Sequence, residues 1–304
     1  MTLNSQSGPG PVLSPRELGR ALGVSESSVK RWVDDGALAA VKTAGGHRRI
    51  ALAEAVRFVR RTGAAVRLPA ALVGAALPAE VSVAPEDAVA AGAATEALWR
   101  AVHEDEPEAA RAILLALYVG GWTLAALCDG PVREVMTRVG ELWHHDDAGI
   151  FIEHRATDMC VHAFAELRAL LEPAPAGSPV ALGGASPDDP YLLPSLMASL
   201  VLAEAGFVDR NLGASTPIAA LTHAAARYRP RVLWLTCSVP PASARALEAE
   251  LASLAAAVAP WRGDVVVGGR GVPPLGPLPA RVHRLDSMGE LRAFAAGVRA
   301  STSA

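Results

Sequence analysis

Cysteine is scarce in this chain. Three residues in 304, Cys128, Cys160 and Cys237, are widely spaced and odd in number, which excludes a disulfide framework and a CxxC-type zinc site. Ordinary buried thiols are expected. Aromatics are also few, at 5%, and alanine supplies much of the apolar count. No apolar run of about 18 residues is present, and the first dozen residues lack both a basic region and an apolar stretch. A soluble, cytoplasmic protein without a membrane partner is expected. What is abundant is aliphatic: 51% hydrophobic residues against 19% charged exclude disorder of the whole chain. The length predicts two or three compact units.

The net charge of -3 hides an asymmetry. Residues 1–62 hold ten Lys and Arg against five Asp and Glu, leaving eighteen against twenty-six for the remainder. A basic head on an acidic body points to a head that meets a polyanion.

Residues 1–11 are expected to be disordered, and residues 12–62 to fold as the head. Ser14, Pro15 and Glu17 form a helix start with the hydroxyl as cap and Glu17 at the third position. Leu18, Ala21 and Leu22 give that helix one apolar face; Gly23 ends it, and Ser25 caps a second helix whose Val29 and Trp32 face inward. Ser27, Ser28, Lys30 and Arg31 are left outward, the pattern of a helix-turn-helix whose second helix enters the major groove. Thr43 to Ile50 then places two glycines before His47, Arg48 and Arg49, suited to a hairpin wing that offers cations to phosphates. This run resembles the winged-helix DNA-binding domain of the MerR family, and double-stranded promoter DNA is the partner the resemblance implies. A solvated helix face is the plainer reading of the second helix alone.

Residues 63–90 contain Pro69, Pro78 and Pro85, which exclude a continuous coiled coil and favour a flexible linker. Residues 91–172 read as a four-helix bundle, with Leu98, Val102, Ile113, Leu114 and Leu117 in the first helices, Leu127 to Leu142 in a third and Ile150 to Leu171 in the fourth. Near the last joint, Trp143 and the pair Glu153-His154 are separated by nine residues. The spacing is similar to the upper-face motif of the CarH/LitR type of cobalamin-dependent photoreceptor repressors. The resemblance implies that Trp143 and Glu153, with His154 beside them, hold the 5′-deoxyadenosyl group of adenosylcobalamin. It also implies that His144 ligates cobalt after photolysis. Two other readings stand beside it: a divalent metal held by His154, Asp158 and His162 with the His-His-Asp-Asp cluster, or a polar interhelix turn with Trp143 as core filler.

Beyond the Pro-rich joint at 172–175, residues 177–301 alternate strands and helices, the pattern of a Rossmann-like parallel α/β domain. The fold class expected is thus multidomain, α plus α/β. The order resembles the cobalamin-binding Rossmann-like domain, which implies that Thr236, Ser238, Gly268 and Gly269 surround the nucleotide tail. The family's Asp/Glu-x-His-x-x-Gly motif is here Asp189-Pro190-Tyr191-Leu192-Leu193-Pro194. The acid is kept, Tyr191 stands where the lower cobalt ligand would be, and Pro replaces Gly. Three outcomes stay open: cobalamin with Tyr191 as a weak ligand or none, haem or another tetrapyrrole held by Tyr191, His144 or His154, or no cofactor.

The resulting expectation is a transcriptional regulator, a repressor by resemblance, that senses light or a corrinoid and assembles as a homo-oligomer so that several heads bind together. A corrinoid carrier of the methyltransferase type is the rival. No nucleophile–base pair or thiolate cluster for enzymatic chemistry is present in the sequence, so a non-enzyme is expected.

Overall fold

A computed structural model describes residues 12–67, 72–73, 77–78, 81, 88–142 and 147–303. The readings made for residues 1–11, for most of 68–87, and for Trp143, His144, His145 and Asp146 lie outside the described residues. The chain divides into two compact units, residues 1–123 with 130–171, and residues 124–129 with 172–304. No described helix is long and apolar enough to cross a membrane.

The first unit begins with β1 (Val12–Leu13), α1 (Pro15–Leu22), α2 (Glu26–Asp34), β2 (Val41–Lys42), β3 (Arg48–Ala51) and α3 (Leu52–Thr62). Ser14 and Glu17 form the expected reciprocal cap, with the Glu17 amide donating to Ser14 Oγ at 3.2 Å and the Ser14 amide to Glu17 Oε2 at 2.6 Å. Gly23 ends α1 in the left-handed region at φ 70°, and Ser25 caps α2 by accepting the Ser28 amide at 3.1 Å. The three strands run in the order β1-β3-β2, antiparallel throughout, with Val41 opposite Arg49 and Lys42 opposite Arg48. Leu18, Ala21, Val29, Leu38, Ile50 and Val56 form the buried centre, and the Trp32 and Phe58 rings pack with centroids 4.9 Å apart.

The same unit holds α4 (Ala88–His103), α5 (Pro107–Val119), α7 (Arg133–Leu142) and α8 (Asp147–Leu170). Leu98, Val102, Ile113, Leu114, Leu117, Val135 and Val139 are buried, as their spacing predicts. The third helix of the expected bundle is not continuous. α6 (Leu124–Leu127) is followed by a π turn over Cys128–Val132, where Gly130 leaves helical geometry (φ −94°, ψ −108°) ahead of Pro131. Proline has no amide proton for the ladder and clashes with the preceding turn, so the chain kinks there. Residues 124–129 belong to the second unit.

In the second unit β4 (Val180–Ala185), α9 (Leu192–Glu204), β5 (Val208–Asn211), α10 (Ile218–Tyr228), β6 (Val232–Thr236), α11 (Ala244–Val258), β7 (Asp264–Gly268), β8 (Val282–Arg284) and α12 (Met288–Ser303) alternate as expected. The five strands are parallel in the order β5-β4-β6-β7-β8. Leu182, Leu233, Leu235, Val265 and Val267 meet Leu221, Leu247, Leu251 and Leu254 in a closed core. Each such side chain contributes about 1.5–3 kcal/mol on burial. α6 joins this unit through polar anchors: the Leu124 amide donates to Glu204 Oε2 at 3.0 Å. The Asp129 carboxylate accepts the first amides of α12, from Met288 at 3.0 Å and Gly289 at 2.7 Å. That carboxylate at a helix N-terminus matches the positive end of the helix dipole.

Candidate nucleic-acid interface and sheet-edge site

The head brings α2 and the wing to one groove. Ser14, Pro15, Glu26, Lys30, Gly46, His47, Arg48 and Arg49 line a cavity of about 290 Å³. The wing turn closes with the Gly46 amide on the Thr43 carbonyl at 2.8 Å and the Thr43 amide on the His47 carbonyl at 2.9 Å. Gly46 has φ +76° there, a conformation that glycine adopts without strain. Ser27, Lys30, Arg31, His47 and Arg49 are exposed, while Ser28 is half-buried with its hydroxyl 2.9 Å from Ser25 Oγ. Lys30 pairs with Glu26 at 2.8 Å, and the bonded ammonium holds the Glu26 carboxyl below its usual range. Arg48 differs from its neighbours: Nη2 donates to Asp34 Oδ1 at 2.5 Å and Nε is buried without a partner. It ties the wing strand to the end of α2, while His47 and Arg49 are exposed on the wing.

Two further arginines of the head, Arg57 and Arg60, have defined partners. Arg57 Nε donates to the Leu171 carbonyl at 2.8 Å and Nη2 to the Ala169 carbonyl at 3.0 Å. Arg60 Nη1 donates to the carbonyls of Tyr118 at 2.9 Å and Trp122 at 3.0 Å. Ala169, Leu171 and Tyr118 lie at the C-terminal ends of bundle helices, and Trp122 in the turn that follows α5.

On α8 the carboxylate of Glu153 is mostly covered, its side chain 21% exposed, whereas His154 is 73% exposed. His154 Nδ1 lies 3.0 Å from Glu153 Oε2 and 2.9 Å from the Ile150 carbonyl oxygen. Thr157 donates to Glu153 Oε1 at 3.3 Å. A carboxylate with an imidazole at its side is therefore in place, while Trp143 and His144, the other half of the expected wall, are outside the described residues. Asp158 is engaged by Arg155 at 3.0 Å and His162 by the Asp158 carbonyl at 3.0 Å. Among the described residues no group of three His, Cys, Asp or Glu side chains converges as a metal site.

At the C-terminal edge of the sheet, Asp189 is fully buried. Its Oδ1 accepts the Tyr191 amide at 3.1 Å and its Oδ2 accepts the Ser238 amide at 2.5 Å. Tyr191 is half-buried at the start of α9. Thr236 and Ser238 lie on one face of β6 and its exit by the strand's period of two. Both are at least nine-tenths buried, and Thr236 Oγ1 and Ser238 Oγ have no hydrogen-bond partner. Below them on that face the Trp234 indole donates to Ser195 Oγ at 3.1 Å, and Ser195 donates to Asn211 Oδ1 at 2.8 Å. No local signal marks that relay, because its members come from three separate elements. The chain itself requires Gly268 and Gly269: a Cβ at Gly268 would lie 2.6 Å from the Leu285 carbonyl oxygen, and one at Gly269, where φ is +119°, would overlap the Cys237 carbonyl.

Residues 12–62 match the family model described as a helix-turn-helix domain. The chain is 28% identical over 265 residues to the HTH-type transcriptional repressor CarA of Myxococcus xanthus, covering 86% of this chain and 87% of that protein. Among solved structures, the Methanosarcina barkeri monomethylamine corrinoid protein matches with a TM-score of 0.49 and 14% identity, over 66% of this chain and 96% of that one. A cobalamin-binding protein from Desulfitobacterium hafniense DCB-2 matches with a TM-score of 0.32 and 16% identity, over 66% of this chain and 96% of that one. Residues 12–62 are thus a helix-turn-helix domain, carried by a chain that also holds a helical bundle and a Rossmann-like parallel sheet domain.

Proposed function

We propose that this protein is a DNA-binding transcriptional repressor whose body senses a corrinoid. The observation that carries the first half is the groove in which α2, the start of α1 and the wing meet, lined by Lys30, Arg48 and Arg49, supported by similarity to a repressor along most of the chain. Ser27, Ser28, Lys30 and Arg31 face the major groove, and His47 and Arg49 meet phosphate. Arg48 holds the wing at its angle. Counterion release makes such binding strongly dependent on salt. Regulation, not catalysis, is the role proposed for the chain.

The corrinoid half rests on the resemblance of Trp143, Glu153 and His154 to an upper-face wall, and on the two orphaned hydroxyls. Burying a hydroxyl without a partner costs free energy, so Thr236 and Ser238 suit a polar ligand tail lying between the strand ends. By the resemblance alone, Trp143, Glu153 and His154 would take the upper group, and His144 the cobalt after photolysis. Adenosylcobalamin would supply a light-cleavable cobalt–carbon bond. The loop after β4 offers no imidazole, and Asp189 is already committed to two backbone amides, so a lower ligand oriented by that acid does not fit. Oligomerisation through the body would let several heads bind together.

A second reading, a repressor that works without a cofactor, is favoured by that same occupied Asp189. Absorbance spectra of the purified chain mixed with adenosylcobalamin, recorded before and after illumination, separate the two. A stable complex with a light-dependent change supports the sensor; no retained chromophore supports the cofactor-free repressor. Haem added in parallel tests the tetrapyrrole alternative.

A further inference from the structure

We propose that Arg57 and Arg60 are positioning residues that clamp the DNA-reading head onto the helical bundle. A linker rich in proline suggests heads that swing freely, but α3 presents two guanidinium forks to the ends of two bundle helices. Arg57 bridges the Ala169 and Leu171 carbonyls at the end of α8. Arg60 bridges the Tyr118 and Trp122 carbonyls at and beyond the end of α5, with its Cζ 4.1 Å from the centre of the Tyr118 ring. Tyr118 is buried and both arginines are half-buried. The arrangement is chemically specific. Three carbonyl oxygens at or next to helix C-termini, where the dipole is negative, and that of Trp122 in the turn beyond α5 are bound by planar cations able to bridge two acceptors each.

The consequence is geometric. α8 has 24 residues, about 36 Å at the usual rise, with Glu153 and His154 in its first half and the carbonyls held by Arg57 at its far end. The helix bearing Glu153 is therefore tied to the head by Arg57, and α5 by Arg60, alongside the packing of α3 against both helices. Head orientation, and with it the spacing between heads in any assembly, is set by the bundle and not by the linker. The inference takes the head as a DNA reader from the reading above, but the clamp itself is tested without DNA or corrinoid.

The test uses the full chain with spin labels at Asp35→Cys in the head and Glu108→Cys on the bundle, diluted with unlabelled protein. The native thiols are buried, so the labels go to the introduced sites. Pulsed electron resonance should give one narrow distance distribution for the parent and a broad one for Arg57→Met with Arg60→Met, which keeps an unbranched apolar stem and removes the donors. Arg57→Lys with Arg60→Lys should fall between them, because an ammonium cannot present the bridging fork. If the double Met variant fails to give a native circular dichroism spectrum, the single Arg57→Met variant is read instead and should broaden part of the distribution. A distribution in the folded Met variant as narrow as the parent's, at the same distance, overturns the proposal. DNA binding measured on the same samples would fail separately if the head were not a DNA reader.

Discussion

Asp189 and Ser238 stand 49 positions apart in sequence and meet at 2.5 Å, carboxylate oxygen to backbone amide, across the C-terminal edge of the sheet. The other oxygen of the same carboxylate holds the Tyr191 amide. Asp189→Ala removes the acceptor of two backbone amides. It should cost about 2–4 kcal/mol, since each buried unsatisfied donor is worth roughly 1–3 kcal/mol. Urea unfolding with an unchanged slope and a lowered midpoint is the expected outcome; an unchanged midpoint would remove the staple's structural role. For the same reason Tyr191→His alone should improve adenosylcobalamin affinity by less than about tenfold, or about 1.4 kcal/mol, because the acid that would orient the new imidazole is engaged elsewhere.

Gly269 tests the rim independently. Its φ of +119° and the carbonyl of Cys237 leave no place for a Cβ. Gly269→Ala should destabilise the sheet unit by about 2–4 kcal/mol, combining backbone strain with overpacking. Calorimetry of the variant gives the number directly. A neutral substitution would mean the exit of β7 rearranges freely.

The thiols should behave as structural groups. Burial pushes Cys160 up to about 12 and Cys237 up to about 11, so neither is a thiolate at neutral pH. Reaction with a disulfide reagent should be slow in the native protein and complete within seconds in denaturant. A thiol whose folded value lies above its unfolded value favours the native state while protonated. That contribution is fully present below the unfolded value of 9.0 and is lost as pH rises through about 11 and 12. Stability should therefore decline above pH 9, and less so in Cys160→Ala.

The cap of α1 gives the opposite pH sign. Hydrogen bonds from Ser14 hold the Glu17 carboxyl below its ordinary 4.5. Its contribution is present above that value and is lost as pH falls through the lowered one. Ser14→Ala should cost about 1 kcal/mol and flatten the acid limb of the head's stability curve only in part, because alanine keeps the backbone amide that is the larger cause of the shift, as measured by thermal melts between pH 3 and 7.

Much of this architecture was legible because local physics and tertiary structure agree. Val232–Thr236 and Asp264–Gly268 are nearly continuous apolar runs, as strands covered on both faces must be. The cap at Ser14 and the left-handed Gly23 were readable for the same reason. The sequence reading missed the break at Gly130-Pro131, where the proline was a usable signal, and the transfer of residues 124–129 to the sheet unit. The latter depends on Asp129 capping a helix 159 residues away, which no local window contains. The bond from Asp189 to the Tyr191 amide is local, but its bond to the Ser238 amide becomes visible only when β4 and β6 lie side by side. Arg57 and Arg60 are sequence-ambiguous in a similar way: cations at a helix end have no recognisable target until the ends of the bundle helices are placed beside them.

The most direct test of the account is selection of duplexes from a random pool by the full-length chain, followed by anisotropy titrations over a range of salt. The account predicts an enriched sequence, a linear fall of log affinity with log salt, and a shallower fall in Lys30→Ala and Arg49→Ala while the fold is kept. No enrichment, or affinity indifferent to salt and to both substitutions, would contradict it.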